Sequence, residues 1–274
     1  MGKRITAILL AAMMVFVLLP KTAFAWVNGA WFVEYDVWVG GIRITSDNCG
    51  NVRGDGSVVY HPTSNRLDLH NANISSNQYG NASYDPIANG IYTLVPLTIM
   101  LDGNNTITGT NNDYGRGIYA YNHKIARNYD ITIGGGGNLT ISGTHNAIKC
   151  GTLTFAENCG KVTATGVRAH GLFGVNVNIK GGVISATSQA DGYGGICAGN
   201  NIIISRGTVI ASNTNGYAFD TTAHGGISFE GNYADDNCKV SVGTDATHTT
   251  DLSPSAISTV RHNYKYCKIE PKPF

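Results

Sequence analysis

The phrase Gly90-Ile91-Tyr92-Thr93 returns as Gly117-Ile118-Tyr119-Ala120, Ala147-Ile148-Lys149-Cys150, Gly171-Leu172-Phe173-Gly174, Gly195-Ile196-Cys197-Ala198 and Ala218-Phe219-Asp220-Thr221. Its starts are separated by 27, 30, 24, 24 and 23 residues, a range in which self-similarity marks a solenoid or propeller array. Two further apolar alternations follow each phrase except the last, which is followed by one. The second track is Leu97-Thr98-Ile99, Ile131-Thr132-Ile133, Leu153-Thr154-Phe155, Val177-Asn178-Ile179, Ile202-Ile203-Ile204 and Ile227-Ser228-Phe229. The third is Thr106-Ile107-Thr108, Thr140-Ile141-Ser142, Val162-Thr163-Ala164, Ile184-Ser185-Ala186 and Val209-Ile210-Ala211.

Three short strands and three turns in about 24 residues describe one coil of a right-handed parallel β-helix, with coils stacked about 4.8 Å apart. No helical periodicity interrupts residues 88–234, and turns such as Asp102-Gly103-Asn104-Asn105 and Gly181-Gly182 punctuate the strands. A propeller blade needs about 40 residues and four antiparallel strands, which the interval does not accommodate. Alternation then predicts an inward ladder of Ile91, Ile118, Ile148, Leu172, Ile196 and Phe219.

Outside the repeat the chain reads differently. Val37-Trp38-Val39 and Ile42-Arg43-Ile44 flank Gly40-Gly41, and Val58 to Tyr60 faces Leu67-Asp68-Leu69 across Pro62-Thr63-Ser64-Asn65. These two hairpins predict an N-terminal β cap over residues 26–87 that protects an open sheet edge. Residues 235–274 break the repeat, contain Pro254, Pro271 and Pro273, and read as a C-terminal cap.

Residues 1–25 have the form of a secretory signal peptide. Lys3 and Arg4 precede an apolar run over 5–19, and Ala23-Phe24-Ala25 supplies a small-x-small cleavage pattern after Ala25. Nothing later resembles a membrane span, so the expectation is an exported, extracellular protein without membrane insertion. Removing the leader takes away Lys3, Arg4 and Lys21 and no acid, leaving 16 basic against 18 acidic residues, a net charge of −2. Such a balance gives no electrostatic footprint for nucleic acid. Faces rich in Asn, Thr, Ser and Gly suit neutral polar ligands instead.

Six cysteines, Cys49, Cys150, Cys159, Cys197, Cys238 and Cys267, permit disulfides in an exported chain. The sequence-local pairings are Cys150 with Cys159 and Cys238 with Cys267, and buried small fillers are the alternative. No CxxC occurs and no His lies at ligand-motif spacing from a Cys, which argues against a cysteine metal site.

The stretch from Tyr35-Asp36-Val37-Trp38 through Ile42-Arg43-Ile44-Thr45-Ser46, then Gly54-Asp55-Gly56-Ser57-Val58, Leu67-Asp68-Leu69-His70-Asn71-Ala72-Asn73-Ile74 and the Gly-Ile-Tyr-Ala coils, resembles bacterial extracellular carbohydrate-binding β-helix modules. The resemblance covers roughly residues 35–230. It implies a fold related to polysaccharide lyases and a cellulose- or pectin-type polysaccharide as partner.

The residues themselves offer three functional readings. With Ile91 and Thr93 inward, Tyr92 points outward, and the same register exposes Tyr119, Lys149 and Phe173 on successive coils, with Tyr114, Tyr121 and Tyr129 in flanking inserts. Flat aromatic faces with a nearby hydroxyl suit pyranose rings. Asp235, Asp236 and Asp245, with Asp251, are candidate Ca²⁺ ligands, and Asp47, Asp55 and Asp68 are a second acidic set. Lyase chemistry would draw its base from Lys149, Arg168, Lys180 or Arg206, but no carboxylate cluster is evident at matched coil positions. Glu157, Asp191, Asp220 and Glu230 fall on different coils, and His145, His170 and His224 lack a recognisable nucleophile. A non-catalytic polysaccharide-binding protein is therefore expected. The alternatives are a surface adhesin that binds a protein partner and a polysaccharide lyase.

Overall fold

A computed structural model describes residues 23–27, 30–76, 88–110, 113–221, 226–260 and 263–272. The chain is all-β, and its strands form one 15-stranded sheet, one 9-stranded sheet and a two-stranded hairpin. None of the described helices is long and apolar enough to cross a membrane.

The first and second sequence tracks share the larger sheet. Ile118 pairs in parallel with Ile91 and with Ile148, Leu172 with Ile148 and Ile196, and Ile196 with Phe219. The second track repeats this register, with Leu97, Ile131, Leu153, Val177, Ile202 and Ile227 side by side. The third track builds the smaller sheet, pairing Ile107, Ile141, Ala164, Ala186 and Ala211 in turn. All six members of the first inward ladder are at most 1% exposed. Because side chains alternate along a strand, this fixes Tyr92, Tyr119, Lys149, Phe173, Cys197 and Asp220 on the opposite face.

Two expectations change. Three separate strands per coil do not occur throughout: Ile148–Phe155 and Leu172–Ile179 each run through tracks one and two without a turn. Parallel pairing also starts before residue 88. Arg66–His70 lies parallel to Leu97–Asp102, and Asn73–Ser75 parallel to Asn104–Gly109, so the second hairpin is already part of the stack.

The first hairpin does cap an edge. Val37, Trp38 and Val39 pair antiparallel with Thr93, Tyr92 and Ile91, and the turn to Ile42–Thr45 uses Gly40 and Gly41 at φ of 57° and 81°. At the other end Tyr266–Pro271 pairs antiparallel with Thr208–Asn213, and Cys238–Gly243 and Thr249–Leu252 extend that layer. Antiparallel strands thus occupy three of the edges that the parallel strands leave, beside Ile91–Thr93, Arg66–His70 and Thr208–Asn213.

Residues 1–22 of the expected leader lie outside the described residues. Ala23–Val27 is a strand paired with Ala30–Val39, so the expected cleavage point after Ala25 falls inside a hydrogen-bonded strand. The expected disulfides are absent: all six cysteines are free. Cys238 faces Pro271 across its strand pair while Cys267 faces Val242, four register positions away. Cys150 and Cys159 are buried fillers, and burial pushes the Cys159 thiol up to about 12.

Candidate functional site

The outward ladder of the first track is continuous. Trp38, Tyr92, Tyr119, Lys149, Phe173, Cys197 and Asp220 are neighbours in register on seven adjacent strands. Ring centroids lie 5.4 Å apart for Trp38 and Tyr92 and 5.8 Å apart for Tyr92 and Tyr119.

The expected exposure of the two tyrosines is not what the fold provides. Tyr92 is 5% exposed and Tyr119 is fully buried. Cover comes from side chains that the repeat does not contain. The Arg116 guanidinium sits 4.1 Å over the Tyr119 ring, Tyr121 and His123 pack at 6.1 and 5.9 Å, and Trp38 closes the other end. The phenols are tied down as well: Tyr92 donates to the Tyr121 carbonyl at 3.2 Å, and the Tyr119 hydroxyl is 2.6 Å from His123 Nε2. Burial pushes both phenols up to about 12, with Arg116 opposing at Tyr119. They form the floor of the face.

What solvent meets is the next layer. Tyr121, Lys149 and Phe173 are half-buried, and Tyr114 and Tyr193 are exposed. Lys149 Nζ lies 5.8 Å from the Tyr121 ring centroid and 5.6 Å from that of Phe173, within cation–π range of both. Burial lowers the Lys149 ammonium from its ordinary value, and Arg116 adds repulsion in the same direction. Tyr114 stacks on His145 at 6.4 Å, and Arg168 pairs with Asp113 beside them. Tyr129 lies under this layer, against the core.

Among the described side chains, the acidic candidates do not converge. Asp245 bonds the Thr247 and His248 backbone and side chains within its own turn, and those bonds hold its carboxyl well below the usual range. Asp251 instead accepts from Ser241 at 3.0 Å and pairs with Lys239. The side chains of Asp235 and Asp236, in the 3-10 turn Gly231–Asp236, lie outside the described residues, as does His224. In the N-terminal set, Asp68 is engaged by Arg66 and His61, and Asp55 by Ser57.

Two groupings escaped the sequence reading. Glu157, Lys180, Arg206 and Glu230 line one open groove on the turns between tracks two and three, so carboxylates do lie beside cations on neighbouring turns, one position out of register with them. Each residue sits one or two positions after the last apolar member of track two, a signal that alignment of the coils could have found. The other grouping is His170, Cys197 and Asp220, whose ligand-capable atoms all lie within 4.8 Å of one another. Local sequence spacing, which argues against a cysteine metal site, does not reach this grouping: Cys197 and Asp220 are paired across adjacent parallel strands, and His170 lies just before the strand whose Phe173 pairs with Cys197. Burial pushes the His170 imidazole down to about 4, against the attraction of Asp220, and raises the Cys197 thiol, with Asp220 acting in the same direction.

Comparison of the chain with family models, curated proteins and solved structures finds no match.

Proposed function

We propose that the chain is a secreted, non-catalytic polysaccharide-binding protein, built as a right-handed parallel β-helix, that holds an extracellular glycan on the face formed by Tyr121, Lys149 and Phe173. The observation that carries the reading is the outward ladder from Trp38 to Phe173, in which buried rings underlie a half-exposed aromatic and cationic layer. Tyr92 and Tyr119 act as a rigid floor. Tyr121 and Phe173 offer ring faces to pyranose C–H groups, and Lys149 between them donates to hydroxyls or carboxylates. A platform on paired strands is organised before the ligand arrives, which spares the ordering cost of binding.

The β-helix assignment is supported by the three inward ladders in parallel register. Export is supported by the form of residues 1–25 in the sequence. A glycan array probed with the purified chain tests the function. Binding to a defined set of glycans supports it, and the division between acidic and neutral members reports what Lys149 contacts. An array without signal, together with capture of a protein ligand, favours the adhesin alternative.

A lyase reading has one observation behind it, the groove of Glu157, Lys180, Arg206 and Glu230. A base and a cation on neighbouring coils are the minimum that β-elimination from a uronide requires.

A further inference from the structure

Beyond Phe173 the outward ladder changes character. Cys197 and Asp220 occupy its next two positions, and His170 reaches the same spot from the turn that enters Leu172–Ile179. Cys197 Sγ lies 3.8 Å from Asp220 Oδ2, and one donor atom from each of the three side chains lies within 4.8 Å of the other two. His170 and Cys197 are buried, and Asp220 is half-buried, so the cluster opens to solvent on the carboxylate side.

The imidazole is held from several directions. Gly194 brackets its Nδ1, with the N–H at 3.0 Å and the carbonyl at 3.3 Å. The Tyr193 and Phe173 rings pack against it at 4.9 and 5.6 Å. Nδ1 accepts from the Gly194 N–H when it is unprotonated, and in the Nδ1–H tautomer it donates to the Gly194 carbonyl, the outer contact that metal-bound imidazoles commonly use, which leaves Nε2 as the ligating nitrogen.

We infer that His170, Cys197 and Asp220 form a binding site for a borderline divalent transition-metal ion, with Zn²⁺ as the best match. One thiolate, one imidazole and one carboxylate are the donors Zn²⁺ takes, and three protein ligands leave a fourth tetrahedral position for water or an incoming ligand. Ca²⁺ does not fit, because it takes six to eight oxygens. On binding, the ion replaces the Cys197 Sγ proton, which leaves to solvent, while the imidazole nitrogen donates its lone pair and Asp220 its charge. A thiol nucleophile activated by His170 is the less suitable use of the same residues. The contact of Cys197 Sγ is to Asp220, whose negative charge opposes formation of a thiolate without a cation. This site does not depend on the carbohydrate reading and is tested without any glycan.

The test is titration of the metal-free, purified chain with Co²⁺. The site predicts a sulfur-to-cobalt charge-transfer absorption that saturates at one equivalent and is abolished by added Zn²⁺. Cys197→Ala removes the absorption and Cys150→Ala keeps it. Asp220→Ala, at the half-exposed edge, weakens Co²⁺ binding by at least about tenfold while far-ultraviolet circular dichroism stays unchanged, which preserves the test if Cys197→Ala folds poorly. Absence of the absorption in the wild-type chain, or its persistence in Cys197→Ala, overturns the assignment.

Discussion

Leu172 and Phe173 are adjacent in sequence and on opposite faces, and the account predicts that truncating each has a different consequence. Leu172 is fully buried between Ile148 and Ile196, with parallel strands bonded on both sides that restrict collapse into a void. Leu172→Ala removes three carbons, about 2.4 kcal/mol of transfer free energy at about 0.8 kcal/mol per methylene. The residual cavity brings the loss to about 3–5 kcal/mol. Phe173 is half-buried, with His170 at 5.6 Å and the Lys149 ammonium at 5.6 Å from its ring. Phe173→Ala forfeits those ring contacts, about 0.5–1.5 kcal/mol, and partial burial of comparable size. Urea unfolding followed by circular dichroism should place the Leu172→Ala midpoint well below that of Phe173→Ala, with similar slopes. An equal or larger loss for Phe173→Ala would refute the register, because a slip of one residue exchanges the two faces.

Three other outcomes follow from particular contacts. Gly207 has a φ of 92°, and a Cβ there would stand 2.5 Å from the Gly182 carbonyl oxygen, so Gly207→Ala should destabilise by about 1–3 kcal/mol in the same unfolding assay. Burial holds the His145 imidazole below its ordinary value of 6.5 in the fold, so the unfolded chain takes up the proton first as pH falls. The contribution of His145 to stability is therefore intact above about pH 6.5 and declines as pH falls below it, and His145→Gln should reduce that slope in unfolding midpoints measured across the range. Purified protein should release no unsaturated uronide from pectate or alginate; steady product that disappears in Lys180→Ala would make the Glu157–Glu230 groove catalytic.

The inward face was legible in the sequence because two periods coincide there. Alternation within each strand and the 23–30-residue return between strands both select Ile91, Ile118, Ile148, Leu172, Ile196 and Phe219. Cover over the outward face was not legible. Tyr119 is buried by Arg116, Tyr121 and His123, which flank the repeated phrase on either side, and Tyr92 by Trp38, which arrives from an antiparallel hairpin. Burial of an outward residue depends on what neighbouring segments place above it, and no periodicity encodes that. The division into strands was not legible either, since the boundary between tracks one and two is crossed by continuous strands at Gly151 and Gly174, where the alternation of each track carries no sign of whether a turn separates them. His170, Cys197 and Asp220 follow no local metal motif. Their proximity follows from the parallel pairing of their strands, visible only once the register is known.

The central claim is that polysaccharide binds at Tyr121, Lys149 and Phe173, and affinity electrophoresis tests it most directly. Wild type, a Lys149→Ala, Phe173→Ala double variant and a Thr163→Ala control, altered on the outer face of the other sheet, would migrate through gels containing pectin, xylan or a cellulose derivative. Loss of one stack and one charged donor should weaken binding by on the order of tenfold. The account predicts retardation of wild type and control in at least one polymer, with the folded double variant released. Equal retardation of all three proteins, or free migration of wild type in every polymer, contradicts it.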